Sequence, residues 1–248
     1  MSLGAALAIA AALIAGSALQ RIAGMGFGLV VAPVLTVVLG ATTGVMISNA
    51  GAVLNAALIW IALRSDVDWR RFVRIAPLLL LGSVLGALTI QAISSAWLDV
   101  LVGGTVLLAL AWTLLVGARV GAHGTPPALA AGTVGGFMNT TAGVAAPALT
   151  VYAVATDWQQ RSFAATLQPI FLVANLSALI AKASLGAIPL SVGLPWWVWL
   201  VVLVAVPAGV GAGGLAARWV SGRAARHTAI TVALLGGAVT LLRGLSGL

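Results

Sequence analysis

The chain has 248 residues, 62% hydrophobic and only 6% charged, with a mean hydropathy of +1.17; a soluble domain carries roughly 25% charged residues to cover its surface. This composition excludes a water-facing globule and makes lipid the solvent. The net charge of +8 comes from eleven Arg and one Lys against four Asp and no Glu, but these bases fall in short gaps between apolar runs, as in the cytoplasmic loops of membrane proteins. They form no clustered, wettable basic face, so nucleic acid is excluded as a partner.

The chain has no Cys, which removes disulfides, thiolate metal sites and cysteine nucleophiles together. The N-terminal MSLGAALAIAAALIAGSALQ lacks a positive leading segment and reads as a first membrane segment rather than a cleaved signal. Residues 3–40 form an apolar stretch interrupted by Gly24, Gly26 and Gly28 and then by Pro33. Residues 43–63 are long enough to cross the roughly 20-residue thickness of a bilayer but carry Ser48 and Asn55. Residues 72–93 and 97–117 are nearly unbroken apolar runs.

After a linker at 118–126, residues 127–155 are again interrupted, by Gly135, Gly136 and Gly143 and then Pro147. Residues 162–182, with Gln168 and Asn175, and the apolar runs 196–217 and 227–245 complete eight hydrophobic stretches. Trp60, Trp69, Trp97, Trp158, Trp196, Trp197, Trp199 and Trp219 fall close to predicted ends, as interfacial anchors do.

The chain repeats itself. APVLTV at 32–37 returns as APALTV at 146–151, each after a Gly-rich interruption. Each precedes a helix with polar residues seven apart, Ser48 and Asn55 in one, Gln168 and Asn175 in the other. GSVLG at 82–86 matches GVGAG at 209–213, a small-residue spacing for close helix contact. These correspondences divide one membrane domain into an N-terminal repeat at 1–117 and a C-terminal repeat at 127–248.

Arg64, Arg70, Arg71 and Arg74 crowd one loop, Arg119 another, and Arg218, Arg223 and Arg226 a third. Placing all three inside requires the element 127–155 to enter and return on one side. The expected fold is therefore an all-α polytopic membrane protein. Its two related halves form an inverted repeat, each a broken, re-entrant helical hairpin plus three transmembrane helices, with both termini outside.

Non-helical backbone at membrane depth persists only inside protein or against a watery cavity. Inverted repeats with interrupted helices are the signature of secondary transporters. Gly24, Gly26, Gly28 and Gly143 let the chain turn and a ligand approach backbone, with Pro33 and Pro147 as expected hinges. Half-helices starting after such turns aim partial positive charge inward, which suits an anion.

Arg21 lies at the predicted tip of the first hairpin. An arginine at membrane depth is costly and functional, and its planar fork fits an oxyanion; the other reading is that it snorkels to a headgroup. The matching tip offers Asn139, Thr140 and Thr141. Ser48, Asn55, Gln168 and Asn175 either line the path or join helices. Asp157 and Arg161 are expected to pair at a helix start, Asp99 to face a helix dipole in its first turn, and Asp66, Asp68, His123 and His227 to sit solvated in loops.

In GMGFGLVVAPVLTVVLG, its echo GGFMNTTAGVAAPALTVYAV and the two related halves, the chain resembles the TauE/SafE family of sulfite-exporter-like membrane proteins. The resemblance covers nearly the whole chain. It implies a multi-pass bacterial inner-membrane transporter that exports sulfite, an organosulfonate or another small organic anion. The second Gly-rich run is thinned here to TTAGVAAP.

An enzyme would need a nucleophile–base pair or metal site within the apolar segments, and none is legible, so neither catalysis, metal nor cofactor is expected. A membrane scaffold without transport activity would not need two interrupted hairpins. The expected partners are a small anion and the bilayer; a homo-oligomer is left open.

Overall fold

The computed structural model describes residues 3–115, 125–187 and 195–248. Arg119, His123 and the linker up to residue 124 lie outside the described residues. Uninterrupted Ala/Leu/Val-rich sequence must satisfy its own backbone groups in lipid, and the helix does so locally. The described residues accordingly form ten α-helices: α1 (Leu3–Ala23), α2 (Phe27–Leu39), α3 (Ala41–Leu63), α4 (Trp69–Ala92), α5 (Ser95–Leu115), α6 (Thr125–Ala142), α7 (Ala146–Ala155), α8 (Gln160–Ser184), α9 (Trp197–Ala216) and α10 (Gly222–Ser246). A 3-10 turn, Arg64–Asp66, joins α3 to α4, and no strand occurs among the described residues.

The eight apolar stretches become ten helices because each interrupted stretch supplies two. The interruptions fall where Gly24 (φ 79°) and Gly143 (φ 72°) hold left-handed backbone, which side chains disfavour. Pro33 lies inside α2 rather than at its break. Pro147 opens α7, at a position where its missing N–H is no loss.

Among the described residues, six helices are long and apolar enough to cross a membrane: α1, α3, α4, α8, α9 and α10. The protein is a multi-pass membrane protein. The first broken element thus contains one helix of crossing length, α1, and one shorter return, α2.

Small residues set the packing. A Cβ on Gly209 would stand 2.5 Å from the Ile14 carbonyl oxygen and one on Gly213 2.6 Å from that of Ala18, so α9 and α1 run parallel in contact. Gly82 lies on Thr133 and Phe137, and Gly86 on Phe137 and Thr140, so α4 and α6 do the same. Between α5 and α10 the order reverses: Gly103 meets Gly237 and Leu241, whereas Gly244 meets Ala96 and Val100. Short turns send α2 back along α1, where Gly16 touches Phe27 and Val31, and α3 back along α2, where Gly44 touches Leu35 and Thr36.

These directions bring α1, α3 and α9 to finish at one end. A Cβ on Gly222, after α9, would stand 3.5 Å from the Ile22 carbonyl oxygen, and the Asp68 N–H donates to Thr166 Oγ1 of α8 at 2.8 Å. Arg64, Arg70, Arg71, Arg74, Arg161, Arg218, Arg223 and Arg226 gather at that end, while α1 begins and α10 ends at the other. Apolar side chains fill three buried clusters, centred on Leu149 and Leu167, on Phe27 and Ile47, and on Leu29 and Val102. Leu80, Leu203, Val204 and Leu235 face outward, a surface suited to lipid rather than water.

Four expectations are corrected. Trp158 is buried in the core with the Arg71 guanidinium 4.5 Å from its ring centroid, and is no interfacial anchor. Arg161 pairs with Asp66 at 2.9 Å rather than with Asp157, because Asp157 adopts positive φ in the turn before α8. Asp99 lies past the first turn of α5 and faces Arg243 of α10 at 3.6 Å. His227 is helical, within α10, rather than in a loop; Asp68 does precede α4, which it caps by accepting from the Arg71 N–H.

Candidate functional site

Two chain reversals meet in the middle of the helix assembly. In the first, the Gly24 N–H donates to the Gln20 carbonyl at 2.8 Å. The Gln20 side-chain oxygen accepts the Phe27 N–H at 3.1 Å, and its Nε2 donates to Gln168 Oε1 of α8 at 3.0 Å. Gln168 Nε2 returns to the Gly24 carbonyl at 3.1 Å. In the second, the Gly143 N–H donates to the Asn139 carbonyl at 2.9 Å, and Asn139 Nδ2 donates to Asn175 Oδ1 of α8 at 3.1 Å. Asn49 Nδ2 of α3 also reaches the Asn139 carbonyl, at 3.4 Å.

Gln20 and Asn139 therefore hold the same place, four residues before a left-handed glycine. Each reaches α8 at positions seven apart, two turns along one face.

The two reversals touch. A Cβ on Gly28 would collide with the Gly143 carbonyl, and one on Gly143 would stand 2.8 Å from the Ala32 Cβ. Around them is a cavity of about 330 Å³, open mouth included, lined by Gln20, Gly26, Phe27, Gly28, Leu29, Ala52, Asn139, Gly143, Val144, Ala145, Ala146, Phe171 and Asn175. None of its lining side chains is charged.

Its polarity comes from backbone and amides. The first N–H groups of a helix have no intrahelical acceptor. Here the starts of α2 (Gly28, Leu29) and α7 (Ala145, Ala146) both lie in the cavity wall; the Gln20 side chain takes the Phe27 N–H at the start of α2, and α7 has no side-chain cap. Both helix dipoles present their positive ends to the same space. A primary amide carries two N–H donors. Gln20 and Asn139 each use one on α8, which leaves one apiece.

Of the residues singled out from sequence, Gly26, Gly28, Asn139, Gly143 and Asn175 line the cavity, and Gln168 is one hydrogen bond removed. Gly24 forms the first turn outside the lining, packed on Ala164. Ser48 is buried with an unpartnered hydroxyl, 3.6 Å from where a Gly143 Cβ would lie. Asn55 is fully buried with both amide atoms unpartnered. Thr140 is buried against Gly86 of α4, its hydroxyl unpartnered, and Thr141 bonds back to the Phe137 carbonyl.

Arg21 lies half-buried in the last turn of α1 with its Cβ against Gly213 of α9, and it is not among the lining residues. Adjacent helix positions differ by about 100°, so Gln20 faces the cavity and Arg21 faces α9. Sequence reasoning missed Gln20, Asn49 and Lys182. Counting four residues back from Gly24, as Asn139 precedes Gly143, would have found Gln20; Asn49 carries no such signal.

A model of the sulfite exporter TauE/SafE family matches residues 8–240. No curated protein and no solved structure matches the chain.

Proposed function

Because the chain belongs to the sulfite exporter TauE/SafE family, we propose that it exports sulfite or an organosulfonate across the bacterial inner membrane, binding the anion between its two broken helical elements. The observation that carries this reading is the cavity whose wall holds the starts of α2 and α7, the latter without a side-chain cap, and two amides that each spend only one N–H on α8, with no charged side chain in that wall. Such fixed dipoles favour negative charge. The family supplies the transport reading, and the uncharged, donor-rich cavity wall supports an anion as what is carried.

The repeats 1–117 and 127–248 are read as inverted halves. In support, α1 packs on α9 as α6 packs on α4, through matched residues: Ala18 and Arg21 on Gly213, Phe137 and Thr140 on Gly86. The elements α1–α2 and α6–α7 then enter from opposite faces as re-entrant hairpins, and the arginine-rich end is cytoplasmic.

Within this reading Arg21 recruits the anion from the cytoplasmic side, near Gly213 and Gly214, and hands it to the neutral donors beyond. No carboxylate lines the cavity, so a carboxylate proton relay has no candidate there. The membrane potential, worth about 2.3 kcal/mol per charge per 100 mV, drives the anion outward. The protein is a transporter rather than an enzyme.

Uptake of ³⁵S-sulfite into proteoliposomes under an imposed potassium diffusion potential tests this. Flux that follows the sign of the voltage is expected. A protein that carries neither sulfite nor a sulfonate at any voltage, while folded, overturns the reading.

A further inference from the structure

Lys182 is the single lysine of the chain. It occupies the last turn of α8, is only 2% exposed, and its Nζ has no hydrogen-bond partner. A lysine there ordinarily snorkels to water or binds the final carbonyls; this one does neither. A buried ammonium without a counter-ion is costly, and no described carboxylate compensates it. Asp66, Asp68 and Asp157 lie at the arginine-rich end, and Asp99 faces Arg243.

Its place on α8 gives the lone charge a setting. Gln168, Asn175 and Lys182 recur every seven residues, which puts them on one face of the helix. Gln168 holds the first reversal and Asn175 the second. Lys182 comes next on that line, about 10 Å further from the arginine-rich end. Helical side chains lean toward the N-terminus of their helix, which carries the ammonium back toward Asn175 and the cavity.

We propose that Lys182 forms a second binding site for a small oxyanion, on the exit side of the amide-lined cavity, which takes up the anion as it leaves Asn139 and Asn175. The ammonium offers three donors as a compact point charge, suited to brief capture of an oxyanion and its release to solvent. The anion assigned here rests on the transport reading above; the site itself rests on the burial and isolation of Lys182.

The test uses the fact that the chain has one lysine. Protein grown with ¹³Cε-labelled lysine gives one side-chain resonance, which is titrated with sodium sulfite against sodium gluconate at equal ionic strength. In parallel, sulfite flux is measured for wild type, Lys182→Met and Lys182→Arg in proteoliposomes.

The expected result is a saturable shift with sulfite only, a flux at least about tenfold lower in Lys182→Met, as loss of a charged hydrogen bond implies, and most of the flux kept in Lys182→Arg. An unmoved resonance together with wild-type flux in Lys182→Met overturns the second site and leaves transport standing. A saturable shift in a protein that carries no sulfite keeps the site and overturns the transport reading. Neither shift nor flux overturns both.

Discussion

The two broken elements are built alike but end differently. Both reverse at a left-handed glycine, and both carry an amide four residues earlier. In the first, Gln20 reaches forward to the Phe27 N–H as well as across to Gln168, so one of the donors at the start of α2 is already taken. In the second, the shorter Asn139 reaches only Asn175, and nothing caps the start of α7.

The lengths differ too: α1 is a candidate span, while α6 is not. One extra methylene thus separates a reversal that fastens itself from one that leaves its donors to the cavity. The first acts as frame and the second as grip, and each variant below strikes one side of that contrast.

The largest effect is expected where the two reversals touch. Gly28→Ala places a methyl on the Gly143 carbonyl. Overpacking of this kind costs about 1–3 kcal/mol, and here it also drives the two elements apart. Sulfite flux should fall to background at unchanged expression; flux near wild type would show that close contact is dispensable.

Gln20→Ala comes next and acts on the frame. It strips partners from the Phe27 N–H and Gln168, a loss of about 1–3 kcal/mol. At about 2–4 °C per kcal/mol for a chain of this size, Tm should drop measurably, and sulfite affinity in the surviving fold should fall less than when Asn139 and Asn175 are both replaced. A large affinity loss without a stability loss would move Gln20 from frame to grip.

The smallest effect belongs to Arg21→Gln. Its side chain lies toward α9 rather than the cavity, so flux should fall at low salt and recover at physiological ionic strength, where charges are screened beyond about 8 Å. A salt-independent loss of affinity would place Arg21 on the bound anion.

The helices were legible because lipid forces long apolar runs, and the bounds 72–93 and 196–217 became 69–92 and 197–216. The breaks were partly legible: Gly24 and Gly143 sit at them, whereas Gly135 and Gly136, expected to interrupt the second element, lie inside α6, where Gly136 packs on Leu79. The site was half legible. Asn139, Gly143 and Asn175 stand out as polar or small residues in apolar sequence, and they do line the cavity.

Arg21 drew attention that its neighbour held, because charge is conspicuous in sequence whereas the 100° between adjacent helix positions is not. Lys182 closes the apolar run 162–182, so its burial was not legible in the sequence. In the structure α8 runs on to Ser184, and that places the lysine inside.

The most direct measurement is the sulfite affinity of the double variant Asn139→Leu/Asn175→Leu, by calorimetry on purified protein. Replacing both hydrogen-bond partners with apolar groups of similar shape is close to neutral for folding, so Tm should stay near wild type. Loss of the donors should weaken sulfite binding about tenfold to hundredfold, the equivalent of roughly 1.5–3 kcal/mol. Wild-type sulfite affinity in that variant would contradict a site between the two broken elements.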